Sequence, residues 1–332
     1  MINTNNPIRA AVIGLGQIGS RFDEESGRKV IWSHVGAYLG LTQEFELCGA
    51  SDFDSNNILA FKSRCPNVPV YSNVSELIKN ERPDVISICT PTTTHFEIFQ
   101  EIRALSNSYI PKVIWCEKPL ATTLDDAKTM VSDCEKLDIK LIVSYNRRWL
   151  PIWKKAMYKM ENNLIGDINT IRISMPNRLF SIGSHAVDLA NFLGGPIEKV
   201  TSLNIPKLYE ENEPAKAVLL LFKSGVVGSI EVTGFKENLV VEAEVYGSAG
   251  RLKINEVSNE IIHELFEESD TYKGYKILKN HSTEIISNNN NFSVFIEIAK
   301  EIMTMMNNEN FKCTCDGFQA MATQEILKEI AN

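Results

Sequence analysis

The sequence predicts an α/β protein in two parts: an N-terminal Rossmann domain with a parallel sheet, then a C-terminal α+β domain with a mostly antiparallel, open sheet. Three observations predict it. Short continuous apolar runs alternate with helical patterns as far as residue 145, the signature of βαβ units. A glycine turn follows the first of those runs directly. From Ile168 the pattern changes to alternating, β-branched runs divided by Gly-containing turns, which reads as antiparallel pairing. A chain of 332 residues is long enough for two cores, and the change of pattern sets the domains at 1–145 and 146–332.

In the first part the candidate strands are Arg9–Ile13, Phe45–Ala50, Asp84–Cys89, Lys112–Cys116 and Lys140–Ser144. Each is a continuous apolar run rather than a clean alternation, as strands covered on both faces require. Helical stretches lie between them at Ile58–Arg64, Phe96–Leu105 and Leu124–Leu137. The last opens at Thr123, an N-cap with Asp125 and Asp126 in the first turn. In the second part strands are expected at Ile168–Ser174, Ala217–Phe222, Val226–Thr233, Val240–Tyr246 and Arg251–Ile254. A sheet with one apolar face needs cover, from helices or from a partner subunit. Asn288–Asn291 reads as a polar loop, and helices at Phe292–Asn307 and Asp316–Ile330 follow. The C-terminal helices are allowed to pack back on the first domain.

The run Arg9–Ile13 leads into Gly14-Leu15-Gly16-Gln17-Ile18-Gly19, a G-x-G-x-x-G between a strand and a helix. In that setting the first glycine permits the tight turn and the second lets backbone N–H groups approach a pyrophosphate. The third allows close packing of helix on sheet. Gln17 and Ile18 belong to the same turn. The second strand runs on to Asp52, a carboxylate placed to accept both ribose hydroxyls of NAD and repel the 2′-phosphate of NADP. No Lys or Arg follows it in Phe53-Asp54-Ser55, so NAD is expected over NADP. The spacing is unusual: Asp52 lies 33 residues beyond Gly19, where about 20 is usual. An insertion at Phe22–Ser33 accounts for the excess. It is read either as a cover for the cofactor or substrate mouth, or as an outward loop or subunit contact.

Composition excludes several classes. A formal net charge of −8, with no basic run, argues against nucleic acid as a partner. No segment approaches the roughly 20 apolar residues of a membrane span, and Met1–Pro7 carries no secretory pattern, so a cytoplasmic protein is expected. Seven cysteines, odd in number and irregular in spacing, fit a reducing compartment. Cys313 and Cys315 form the only close pair, and the five histidines form no ligand pair at helical spacing, so no metal is expected.

Two further strands end in chemistry-bearing segments, Thr90-Pro91-Thr-Thr-Thr-His95 and Glu117-Lys118-Pro119. Parallel strands deliver such ends to one sheet edge, where ligands bind. Together with Gly14–Gly19, Ser144-Tyr-Asn146-Arg147-Arg148-Trp149, Gly183-Ser-His185-Ala-Val-Asp188 and Gly247-Ser-Ala-Gly-Arg-Leu252, these segments closely resemble the Gfo/Idh/MocA oxidoreductases over nearly the whole chain. The resemblance implies that Lys118 stands between nicotinamide and substrate, where an ammonium stabilises a developing alkoxide. It places Glu117 by the nicotinamide ribose and suggests a cis Lys118–Pro119 bond. It makes His185 the catalytic base. Asp188, one helical turn on, would orient the imidazole or meet substrate. Thr90, Pro91 and His95 would line the cofactor, although His95 reads equally as a helix-start residue without a ligand. Asn146, Arg147 and Arg148 would meet substrate; for the two arginines a structural salt bridge is an equal reading. Many such dehydrogenases carry a carboxylate four residues before the histidine. Here Ser181 stands there, within reach of substrate but unable to stabilise an imidazolium by charge.

The resulting expectation is an NAD-dependent dehydrogenase of a sugar or sugar derivative. The insertion before Trp32-Ser33-His34 resembles a subgroup of bacterial surface-sugar biosynthesis. The alternatives are an NAD(P)-binding sensor of the same fold and a reductase of a non-sugar ligand such as a linear tetrapyrrole or imine. The open sheet predicts a homodimer or homotetramer.

Overall fold

The computed structural model describes residues 6–27, 29–176, 182–205, 215–232, 238–287, 292–308 and 310–331. The chain forms two compact units, Met1–Asn146 with Asn289–Met321 and Arg147–Asn288 with Ala322–Asn332.

The first unit contains a sheet of β1 (Ile8–Ile13), β2 (Phe45–Ser51), β3 (Val70–Tyr71), β4 (Val85–Ile88), β5 (Val113–Cys116) and β6 (Lys140–Val143). Every pairing is parallel, in the order β3-β2-β1-β4-β5-β6. The four-residue strands β4 and β5 are buried throughout, which explains their unbroken apolar pattern. The order reverses between β1 and β4, the switch point where such sheets open a crevice beyond the strand C-termini.

The connecting helices are α1 (His34–Leu39), α2 (Ser55–Arg64), α3 (Val74–Glu81), α4 (Thr92–Ala104) and α5 (Leu124–Lys136). Ser33, Asp54, Asn73 and Thr123 cap α1, α2, α3 and α5, each side-chain oxygen accepting from backbone N–H groups of the first turn. Sequence patterning missed β3, α1 and α3. β3 is two residues long, and α1 spans only six with a glycine inside. Neither is long enough to show a period.

The glycine turn is not followed at once by a regular helix, contrary to expectation. A short 3₁₀ turn at Arg21–Glu24 comes first, and α1 begins only at His34. Two backbone bonds explain the arrangement: His34 N–H donates to Ile18 C=O at 3.1 Å and Val35 N–H to Gly19 C=O at 2.9 Å. Each bond spans sixteen residues where a helix spans four, so twelve residues are looped out of an otherwise continuous first helix. Without those twelve, Asp52 lies 21 residues past Gly19, close to the usual spacing of about 20. The excursion is tied down by Asp23, which accepts from Trp32 N–H at 2.5 Å, Ser33 Oγ at 2.5 Å and Arg64 Nη2 at 2.9 Å. Ser293, the cap of α8 (Val294–Asn307), donates to Ile31 C=O at 2.7 Å.

The second unit holds α6 (Pro151–Glu161), β7 (Ile168–Met175), α7 (Gly183–Gly194), β8 (Ile197–Asn204), β9 (Lys216–Phe222), β10 (Val227–Val232), β11 (Glu242–Gly247), β12 (Gly250–Asn255), β13 (Glu260–Glu268) and β14 (Lys276–Ile285). α9 (Gly317–Ala331) begins in the first unit and ends in this one. Among the described residues the strands form one sheet, β14-β13-β12-β11-β7-β10-β9-β8, antiparallel except for the β7–β10 pair. Trp153 of α6, Leu189 of α7 and Ile330 of α9 share a core with Ile173, Phe222 and Leu252 of the sheet. On β9 the side chains alternate strictly, and Leu219 and Leu221 are exposed. Patterning missed β8, β13 and β14, whose sequences are rich in charged and polar residues and whose outer ends face water. Residues 288–291, read as a polar loop, and Thr233 lie outside the described residues.

Candidate functional site

In the first unit a cleft of about 370 Å³ opens beyond the C-termini of β1, β2 and β4, lined by Gly14, Gly16, Asp52, Thr90 and Pro91. The glycine turn has the geometry of a phosphate cradle. Gly14 holds φ +91°, a left-handed conformation, and a side chain there would meet Thr90 N at 2.8 Å. A side chain on Gly19 would collide with the Gly14 carbonyl, whereas one on Gly16 would meet nothing within 4 Å. The turn is therefore packed on one side and open on the other, as a pyrophosphate requires. Gln17 is exposed and Ile18 half-buried in the same turn.

Asp52 is held by the turn itself. Oδ2 accepts from Leu15 N–H at 2.6 Å and Asn57 Nδ2 at 3.2 Å, and Oδ1 accepts from Asp54 N–H at 2.8 Å. Asp54, Glu97 and Glu101 add further carboxylates to the lining, and among the described residues no Lys or Arg lines the cleft. A 2′-phosphate would face uncompensated negative charge there.

His95 does structural work in this fold. The ring is buried, with Nε2 2.8 Å from Thr90 C=O and Nδ1 3.1 Å from Pro119 C=O. The helix-start reading fits better than a ligand contact, because the imidazole ties the loop after β4 to the loop after β5.

That second loop carries Glu117 and Lys118. The Lys118–Pro119 bond is cis, and Lys118 is half-buried. Glu117 N–H donates to Ile88 C=O at 2.9 Å, continuing the β4–β5 ladder. Its carboxylate lies 2.9 Å from Nε2 of His34, a fully buried residue that motif reading did not place in the site. Burial alone would raise the Glu117 pKa, but hydrogen bonds from His34 and Ser144 and the charge of Lys118 outweigh it, holding the carboxyl below the usual range. The only signal for His34 was positional: with the twelve-residue excursion removed, it follows the third glycine by three positions.

In the second unit His185 is buried in the first turn of α7. The Asp188 carboxylate is held by Arg148 and Thr323. Both oxygens accept from Arg148, at 2.8–3.1 Å, and Oδ1 also accepts from Thr323 Oγ1 at 3.2 Å. Arg148 is equally buried, so the structural salt bridge, not a substrate contact, is the reading its geometry supports. Arg147 pairs with Glu256 at 3.1 Å, and Glu256 also accepts from Trp153 Nε1 at 2.6 Å. Asn146 is half-buried at the start of a 3₁₀ turn. Ser181 lies outside the described residues. Among the described residues no group of three or more His, Cys, Asp or Glu is placed to hold a metal, and no helix is long and apolar enough to cross a membrane.

These features define a Rossmann-type dinucleotide-binding oxidoreductase. Residues 8–145 match the oxidoreductase family with an NAD-binding Rossmann fold, and residues 153–253 match the GFO/IDH/MocA C-terminal domain. The chain belongs to the GFO/IDH/MocA family. It is 26% identical over 293 residues to a myo-inositol 2-dehydrogenase of Thermotoga maritima, covering 81% of each chain. The WlbA dehydrogenase from Bordetella pertussis, solved with NADH and UDP-GlcNAcA, shares the fold with a TM-score of 0.75 at 17% identity, over 98% of this chain and 96% of that one. A super-repressor mutant of Gal80p from Saccharomyces cerevisiae does so with a TM-score of 0.79 at 14% identity, over 98% and 95%.

Proposed function

We propose that this chain is an NAD-dependent oxidoreductase moving hydride between nicotinamide and a carbinol carbon of a sugar or sugar derivative. The observation that carries this reading is Lys118, which follows β5 in the same parallel sheet whose β1, β2 and β4 ends line the dinucleotide cleft. Gly14–Gly19 and Asp52 hold the pyrophosphate and adenosine ribose, and the acidic lining favours NAD over NADP. Thr90 and Pro91 line the cofactor, and Glu117 meets the nicotinamide ribose. When bound, nicotinamide supplies or accepts the hydride. Lys118 stabilises charge on the substrate oxygen. His185 exchanges the proton at Nε2, since Nδ1 is shielded from solvent. The dehydrogenases named above support a polyol or an activated sugar as substrate.

The domain roles follow: 1–145 binds dinucleotide, and 146–332 binds substrate and mediates oligomerisation. Leu203, Leu219, Leu221 and Val227, exposed on neighbouring strands, support a homodimer or homotetramer. Seven free cysteines support a cytoplasmic location.

Nicotinamide absorbance, followed while sugars and sugar nucleotides are added to protein with NAD or NADH, tests the reading. Turnover with one compound is expected, reduced about 10³-fold in Lys118→Ala with cofactor binding kept. Turnover that survives the substitution removes Lys118 from the chemistry. A second reading, a dinucleotide sensor, draws on Asp188, whose carboxylate is spent on Arg148. Tight binding without redox change across the panel would favour it.

A further inference from the structure

The buried contacts of His34 run beyond Glu117. Nδ1 lies 3.1 Å from Ser87 Oγ, and Ser87 Oγ lies 2.8 Å from the Tyr38 hydroxyl. His34, Ser87 and Tyr38 are all sealed from solvent. The ring is clamped between Trp115, at 3.8 Å between centroids, and Phe295, at 5.4 Å. No water can repair a missing bond in such a chain, so its hydrogens must be distributed to satisfy every member.

One distribution does so. Ionised Glu117 can only accept, so Nε2–H of His34 donates to it. Nδ1 of a neutral ring then accepts from Ser87 O–H, and Ser87 Oγ accepts from Tyr38 O–H. With both ring nitrogens protonated the chain holds one hydrogen too many, so either the Tyr38 or the Ser87 hydroxyl proton is left without an acceptor in it. The chain therefore points its donors one way, from the interior toward Glu117.

We propose that His34, fixed as the Nε2–H tautomer by Tyr38 and Ser87, is the positioning residue that aims the Glu117 carboxylate at the nicotinamide half of the dinucleotide. The inference rests on the reading of Glu117 given above. It also explains where the excursion enters the first helix. α1 restarts at the histidine itself, its first two N–H groups joined to Ile18 and Gly19, so twelve residues are added without displacing the imidazole. Gly36 belongs to the same design: a side chain there would collide with the Asp23 carboxylate that closes the loop.

The test compares affinities for NADH and for ADP, which lacks the nicotinamide half, by fluorescence titration of wild type, His34→Ala, His34→Gln, Glu117→Ala and the His34→Ala/Glu117→Ala double variant. His34→Ala should weaken NADH about tenfold and leave ADP unchanged, which also shows that the cleft is folded. His34→Gln, which keeps a donor toward Glu117, should restore affinity to within about threefold. In the double variant His34→Ala should add nothing to the effect of Glu117→Ala. Equal loss for ADP and NADH, or additive effects in the double variant, overturns the inference. If Glu117→Ala leaves NADH affinity unchanged, the reading of Glu117 fails and the inference with it. If Glu117→Ala weakens NADH and His34→Ala does not, the inference alone fails. Nitrogen-15 spectra of labelled histidine supply a readout independent of binding: a proton on Nε2 is expected, and one on Nδ1 overturns the tautomer.

Discussion

Glu117, partly buried, and Asp188, fully buried, are carboxylates each beside a residue proposed to act on substrate, and they are held in opposite ways. Glu117 bonds to His34 and Ser144, and its side chain remains 13% exposed at the end of β5. Asp188 is sealed completely; Arg148 takes both of its oxygens and Thr323 shares one. A carboxylate offers about four lone-pair sites. Glu117 keeps some of them at an accessible edge, where a ligand can use them. Asp188 has none turned to solvent, so its work is to fasten α7, and with it the backbone of His185, to the rest of its own unit. Proximity to a motif does not make a carboxylate part of the chemistry; unspent, accessible lone pairs do.

The largest effect that would break this comparison lies at Arg148. Arg148→Ala leaves the Asp188 carboxylate buried and uncompensated, and should lower unfolding stability by about 3–5 kcal/mol, measured by urea denaturation. Arg148→Met with Asp188→Leu should recover most of that, because an apolar pair removes the stranded charge. A loss below about 1 kcal/mol for the single substitution would mean that Asp188 is not committed to Arg148 in solution.

The same distinction between spent and open valences applies to the glycine turn, with a smaller effect. The space beside Gly19 is filled by the Gly14 carbonyl, whereas Gly16 faces open space. Gly19→Ala should therefore cost about 1–3 kcal/mol, because backbone must shift. Gly16→Ala should keep the melting temperature and lose at least about tenfold in NADH affinity, because only a ligand approaches that position. Equal effects of the two on stability would show that Gly16 is also a packing glycine.

The two units differ in how far they could be read from the sequence, for the same physical reason. The glycine turn, Asp52 and Glu117-Lys118-Pro119 act through backbone geometry and strand ends, which local pattern records. Asp52 was readable although displaced, because the excess spacing itself announced an inserted segment. His34 was not. Its meaning depends on two backbone bonds that skip twelve residues and on contacts with Ser87 and Glu117, which are distant in sequence. Arg148 and Asp188 were recognised as residues of interest, but the sequence left a salt bridge and a substrate contact equal. Only the fold, which sets them 40 positions apart in sequence and in contact, decides. Strands β8 and β14 escaped because they are the two edges of the sheet, where polar residues are tolerated on both faces, and β13 escaped because Glu260, Glu264, Glu267 and Glu268 break its apolar alternation.

The smallest effect sharpens the comparison from the side of Glu117. Its carboxyl is held below the usual range in the folded protein, burial raising the pKa but His34, Ser144 and Lys118 lowering it further. A group with a depressed folded pKa contributes stability that is complete above its unfolded pKa, roughly 4.3 for a glutamate. That contribution disappears as pH falls through the folded value. Thermal unfolding of wild type and Glu117→Gln, compared from neutrality downward, should therefore show a gap that closes in acid. Gln accepts from His34 through its amide oxygen but does not titrate, so the closing part of the gap reports the carboxylate alone. Closure of the gap as pH falls through the folded value is the expected result. A gap that widens in acid would mean that Glu117 is protonated more readily in the folded state than in the unfolded one. Glu117 would then be a burial-dominated carboxyl like Asp188, whose pKa burial raises against the opposing pull of Arg148 and Thr323, and the contrast would lose its electrostatic half.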